Sequence, residues 1–97
     1  MSTGEFNALI HAPNRLQLCA LLASVDEMEF RTLTEQLGIS DSLLSKQVKL
    51  LEDEGFVTHR KRTANGRPRT WLSLTRDGRR AFLAHIKALQ AIISDAK

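Results

Sequence analysis

The fold turns on the stretch GISDSLLSKQVKLLEDEG, Gly38 to Gly55. Ser40 has a side-chain oxygen that can accept from the unpaired N–H groups of a first helical turn, so it reads as an N-cap. Asp41 follows, where a carboxylate suits the helix dipole. Leu44, Val48 and Leu51 converge on one side at the 3.6-residue period, and Gly55 ends the run. A helix is therefore expected over residues 41–54, roughly 21 Å long. Ser42, Lys46 and Lys49 point away from its apolar stripe, with Ser45 on one flank and Leu43 and Leu50 on the other. Glu52, Asp53 and Glu54 crowd the far end, where acids oppose the dipole, so helix stability does not account for them.

Upstream, Arg31 to Leu37 carries Leu33 and Leu37 at i, i+4 and closes on Gly38, a residue suited to a helix C-terminus. Two helices thus meet across a turn of three or four residues that contains glycine. Met28-Glu29-Phe30 is a candidate short strand. Before it, Leu18, Leu21, Leu22 and Val25 mark a helix that either starts at Asn14 as its N-cap or continues, kinked, from the preceding segment. Phe6, Leu9 and Ile10 form a short apolar set interrupted by Pro13. Downstream the period changes: Val57 to Arg62 and Arg69 to Thr75 read as strands, joined from Thr63 to Pro68 around Asn65-Gly66, a pair that tolerates positive φ. Thr75 then caps a last helix that carries Phe82, Ile86, Leu89 and Ile93 at i, i+4, i+7, i+11. The expected architecture is mainly α with a small β-hairpin, an α+β chain in the order α-(α)-β-α-α-β-β-α. A helix-turn-helix followed by a hairpin is a winged helix-turn-helix. The 97 residues suit one domain, spanning 1–97.

Charge adds a second feature. From Gly55 to Arg76 there are six Lys or Arg and no Asp or Glu, which leaves eight cations against eleven acids elsewhere. A basic segment on an otherwise slightly acidic chain attracts polyanions. The hydroxyls and ammonium groups on the outward side of the 41–54 helix suit base edges and phosphates in a DNA major groove. Candidate contacts there are Ser40, Ser42, Leu43, Ser45, Lys46 and Lys49, with Leu43 placed for a thymine methyl group or for packing. In the hairpin, over about 60–70, strand alternation prevents all five cations from facing one way. Arg62, Arg67 and Arg69 are the expected contacts, while Trp71 could stack on a sugar or a base but is expected to pack on the domain.

The chain resembles the small winged-helix transcriptional regulators related to the MarR and ArsR families. The likeness rests on His11-Ala12-Pro13-Asn14-Arg15-Leu16, Leu37-Gly38-Ile39-Ser40, Leu50 to Val57, Gly66 to Trp71 and Leu74-Thr75-Arg76-Asp77-Gly78. It implies a homodimer with the helix from Asp41 in the major groove and the wing near the adjacent backbone or minor groove. Apolar residues left over at both ends agree with self-association. Phe6, Leu9, Ile10, Phe82, Ile86, Leu89 and Ile93, in segments of about 5–12 and 76–96, form the expected interface. Two such subunits would meet a near-palindromic double-stranded operator.

Other function classes find little support. No Gly-rich phosphate loop, metal-ligand cluster or nucleophile-base set is recognisable, so no catalytic residue, metal or cofactor is expected, and no small-molecule effector is identifiable. Cys19 lies among Leu18, Ala20 and Leu21 as a core filler; redox sensing would need an exposed thiolate, which only Arg15 could encourage. His85 and His11 could each lie at a helix interface and titrate near neutral pH, although a structural role is the simpler expectation. No apolar run approaches a membrane span, no secretory signal is seen, and the single cysteine, Cys19, points to a reducing compartment, so the cytoplasm is expected. The rival reading is a winged-helix protein-interaction module without specific DNA binding, since a fold does not decide function.

Overall fold

The computed structural model describes residues 4–95. Its elements are α1 (Ala8–His11), α2 (Pro13–Ala23), β1 (Met28–Glu29), α3 (Phe30–Leu37), α4 (Asp41–Asp53), β2 (Val57–Ala64), β3 (Arg67–Leu74) and α5 (Arg76–Asp95). The order is the expected one; residue 96, the expected end of the last helix, lies outside the described residues.

Element ends follow local chemistry, with three corrections. Asn7 caps α1, its side chain accepting from the Ile10 N–H. Pro13 does not separate a helix from its cap; it is the first residue of α2, where a missing N–H leaves nothing unpaired. Asn14 therefore lies inside the helix and caps nothing. Phe30 opens α3 and does not extend β1. The hairpin is tighter than alternation alone indicates. Asn65 and Gly66 have φ of 53° and 76°, a two-residue turn with both centres left-handed, which matches strand twist and suits a glycine. The strands consequently run on to Ala64 and Arg67, with Pro68 opposite Thr63.

The antiparallel sheet has the order β1-β3-β2. Paired residues share a face, so Val57 with Leu74, and His59 with Leu72, lie on one side, while Arg60 with Trp71 and Arg62 with Arg69 lie on the other. Val57 and Leu72 are buried, which fixes the first side as the inner one. There they meet Leu18 and Leu22 of α2, Leu33 of α3 and the expected Leu44, Val48 and Leu51 of α4.

Ile10 and Phe82 belong to that same core and are not free for a partner. Phe82 and Ile93 point in nearly the same direction around α5, yet Phe82 is 7% exposed and Ile93 68%. The reason is length: a helix of 20 residues spans about 30 Å and outruns the body it packs on. Ile86 packs against the core and Leu89 is half-buried, whereas Phe6, Leu83, Ile92 and Ile93 are exposed.

One junction joins α4, both long strands and α5. The Phe56 N–H donates to the Leu51 carbonyl at 2.9 Å, and the Phe56 carbonyl accepts from the Thr75 N–H at 2.9 Å. The Thr75 hydroxyl donates to the Gly55 carbonyl at 2.6 Å and, as the expected cap of α5, accepts from the Gly78 N–H at 2.9 Å. Gly78 is buried so closely that a Cβ there would stand 2.0 Å from the Phe56 carbonyl oxygen. Backbone would have to yield. Gly78→Ala should therefore lower stability by about 1–3 kcal/mol, the range for overpacking, read as an earlier urea midpoint; an unshifted midpoint would show that the junction is loose.

Candidate nucleic-acid interface

Helix α4 is held from within and open outside. Ser40 caps it, its hydroxyl accepting from the Leu43 N–H at 3.1 Å, and lies 3.3 Å from the Ser42 hydroxyl. Ser42, Ser45, Lys46 and Lys49 are all exposed, and Leu43 is half-buried on the flank. Lys49 donates to Asp53 one turn on at 2.8 Å, and that carboxylate raises its ammonium above the ordinary lysine range. The pair is solvent-exposed and salt-screened, so a phosphate could replace the carboxylate. Lys46 forms no ion pair among the described residues.

Two polar anchors fix this helix that the apolar period could not reveal. Gln47 lies on the buried side, where Arg15 of α2 donates to its amide oxygen at 2.7 Å. The same guanidinium donates through Nε to the Leu9 carbonyl of α1 at 2.6 Å. At the other end, Glu52 pairs with His59 of β2. That gives two of the terminal acids a role: Glu52 ties the helix to the wing and Asp53 holds Lys49.

The wing has two electrically different faces. The register puts Arg60, Arg62, Arg67 and Arg69 on the outer face with Trp71, and only Lys61 and His59 on the face toward α4. Of the three arginines expected to contact DNA, two are already engaged. Arg62 lies 4.5 Å over the Trp71 ring and pairs with Glu27. Arg69 forms a two-oxygen contact with Glu29 at 2.9 and 3.2 Å. Trp71 is half-buried on the outer face of the sheet, beneath Arg62 of the same hairpin. Arg60, Lys61 and Arg67 are exposed and unpaired among the described residues. A groove of about 350 Å³ runs between α4 and the inner wing, bordered by Ser45, Lys49, Glu52, His59, Lys61 and Thr70. Among the described residues no three His, Cys, Asp or Glu groups gather to hold a metal, and no helix is long and apolar enough to cross a membrane.

Comparison with known proteins bears on this arrangement. A family model described as a winged helix DNA-binding domain matches residues 14–93. The uncharacterised protein MJ0432 of Methanocaldococcus jannaschii is 36% identical over 81 residues, 84% of this chain and 84% of that one. Among solved structures, a transcriptional regulator homologue from Pyrococcus horikoshii OT3 superposes with a TM-score of 0.87 at 25% identity, covering 92% of this chain and 88% of its own. The YusO protein of Bacillus subtilis superposes with a TM-score of 0.80 at 21% identity, covering 88% of this chain and 60% of its own, a likeness of fold.

Cys19 stands apart from the exposed surfaces. It is fully buried beside Leu18 and Leu22, and burial pushes its thiol up to about 11, against the opposing pull of Arg15. Since the thiolate is the reactive form, the folded protein should resist alkylation by iodoacetamide at pH 8 and react promptly in urea; equal rates in both states would mean that the α2 core opens readily.

Proposed function

This chain belongs to the winged helix DNA-binding domain family, and from that premise we propose that it is a sequence-specific regulator of transcription acting as a homodimer on double-stranded DNA. The carrying observation is the asymmetry of α4: one side is anchored by Leu44, Gln47, Val48 and Leu51, and the other presents Ser42, Ser45, Lys46 and Lys49. Such a helix, rigidly backed and polar outside, suits major-groove readout. Ser40, whose oxygen serves the cap and lies beside the Ser42 hydroxyl, can turn its O–H to a phosphate, and Leu43 is available to a thymine methyl group. The transcriptional role is that of the similar Pyrococcus horikoshii protein. A binding role, without catalysis, and a cytoplasmic location are part of the same reading.

The wing contributes unequally in this proposal. Lys61 and Lys49 flank the groove beside α4 and take backbone phosphate, while Arg67 and Arg60 extend toward the neighbouring backbone or minor groove. Arg62 and Arg69 chiefly brace the wing against Glu27 and Glu29, a narrower role than the sequence suggested. The dimer forms along α5. Leu83, Ile92 and Ile93, with Phe6 and the half-buried Leu9, Ile86 and Leu89, are its apolar contacts, and the two α4 helices meet half-sites about 34–36 Å apart on a near-palindromic operator.

Two measurements check these assignments. Replacing Arg67 or Lys61 with Ala should weaken binding to all duplexes and reduce the slope of log K against log salt by about 0.9 for each phosphate no longer neutralised. Ser42→Ala and Lys46→Ala should instead relax preference at single base positions, by roughly 1–3 kcal/mol each. Unchanged site selection by those two variants would remove α4 as the reader. Separately, Leu83→Glu with Ile92→Glu should yield a folded monomer in light scattering that binds half-sites weakly; wild-type protein that is monomeric at micromolar concentration would defeat the dimer.

A further inference from the structure

His85 lies wholly inside the protein, on α5, and both of its ring nitrogens are engaged. The Asn7 backbone N–H points at Nδ1 from 2.9 Å, and His11 Nδ1 lies 3.1 Å from Nε2. The Phe6 ring closes over the pair, with centroids 4.9 Å from His11 and 4.7 Å from His85. A backbone N–H can only donate, so His85 Nδ1 must be bare. The neutral ring then carries its proton on Nε2 and donates it to a bare His11 Nδ1. One tautomer of each ring satisfies the network.

No protonated form does. A proton added to His85 goes to Nδ1, facing the Asn7 N–H. A proton added to His11 Nδ1 faces the His85 Nε2–H, and relieving that clash moves the His85 proton to Nδ1, with the same result. Charging the pair with both rings in place sets two donors against each other, and a charged His85 breaks the hydrogen bond that ties Asn7 to α5.

Asn7 is also the cap of α1, its side-chain oxygen accepting from the Ile10 N–H at 3.0 Å. Helix α1 in turn holds Arg15 by the Leu9 carbonyl, and Arg15 holds Gln47 of α4. We propose that the His11–His85 pair is a proton-binding site whose occupation releases the N-terminal segment from α5 and, through Arg15 and Gln47, loosens the seating of α4. The coupling to DNA rests on the reading above; the release of Asn7 does not.

The sense of the response follows from the surroundings. Burial first, and the neighbouring His11 ring second, lower the pKa of His85 from 6.5. The closed arrangement is therefore complete above pH 6.5 and is lost as pH falls through the lower folded value. The other ionisable groups on elements packed against α5 are Glu5 ahead of α1, Arg15 and Cys19 on α2, and Arg67 and Arg69 on β3. On α5 itself, Arg79 donates to the Ala23 carbonyl. Apart from His11, no ionisable side chain bonds to the His85 ring among the described residues.

Amide and imidazole NMR of the full chain between pH 8 and 5 tests this. The expected result is an Nε2–H tautomer for His85 at high pH, with protection of the Asn7 amide, corrected for intrinsic exchange, lost as the pair titrates. His85→Gln, which can accept from Asn7 and donate to His11 without titrating, should keep that protection at pH 5.5. Should that variant not fold, His11→Ala, at an exposed position, should move the release to higher pH by removing the neighbouring ring. Asn7 protection that persists through the imidazole titration, or a release midpoint indifferent to His11→Ala, would overturn the proposal. At fixed salt, DNA affinity should fall roughly fivefold or more from pH 7.5 to 5.5 in the wild type, the scale of ordinary coupling, and less than twofold in His85→Gln. Protein that binds no duplex at either pH would sink the DNA reading alone, leaving the Asn7 protection to decide the proton site.

Discussion

The close approach of Gly78 to the Phe56 carbonyl governs how the two halves of the molecule are joined. That carbonyl also accepts from Thr75, whose hydroxyl reaches back to Gly55. The end of α4, the start of β2, the end of β3 and the start of α5 are thereby brought to one place. Any rotation of α5 against the wing would have to break a hydrogen bond or open that contact. The positions of the outward α4 side chains relative to the hairpin follow from this joint as much as from the core beneath them. So does the direction in which α5 leaves the body.

Electrostatics on the wing are arranged by partners far off in sequence. Glu27 and Glu29 flank or form the short strand β1, and they meet Arg62 and Arg69 across the sheet. The acids spread over the rest of the chain are thus partly directed at the basic segment, and the charge left free concentrates on Arg60, Lys61 and Arg67 near the turn. Partly exposed ion pairs add little stability. Their effect here is geometric: they tie the hairpin strands to β1 and the residue before it while the tip stays available.

Much of the fold was legible because local and tertiary preferences agree. Ser40 caps α4, Leu44, Val48 and Leu51 face inward, Thr75 starts α5, and Asn65-Gly66 turns the hairpin. Elsewhere a longer-range effect overrode the local signal. Pro13 looked like an interruption because a ring without an N–H breaks helix interiors, yet at a first position it costs nothing. Ala64, Arg67 and Pro68 have poor strand preference but are carried into the ladder by a two-residue turn. Ile10 and Phe82 looked like spare apolar surface because sequence periodicity marks a face without saying how far the body extends along it. The Arg15–Gln47 bond joins residues 32 apart and was not legible locally; the two histidines, 74 apart, were placed at a helix interface but not paired with each other.

The polar contacts that periodicity could not find are those that connect surfaces. Arg15 joins α1 to α4, and His85 joins α1 to α5, so a four-residue helix lies between the proposed reader and the proposed dimer helix. Whether α4 and the wing tip form the DNA-facing surface of this family member can be measured in one titration. Isotope-labelled protein would be mixed with a duplex selected from a random library, and backbone amide shifts followed residue by residue. Changes should concentrate on Ser42, Ser45, Lys46 and Lys49 and on the tip from Asn65 to Arg67. Changes confined to α2 and α3, with α4 and the tip silent at saturation, would contradict that assignment.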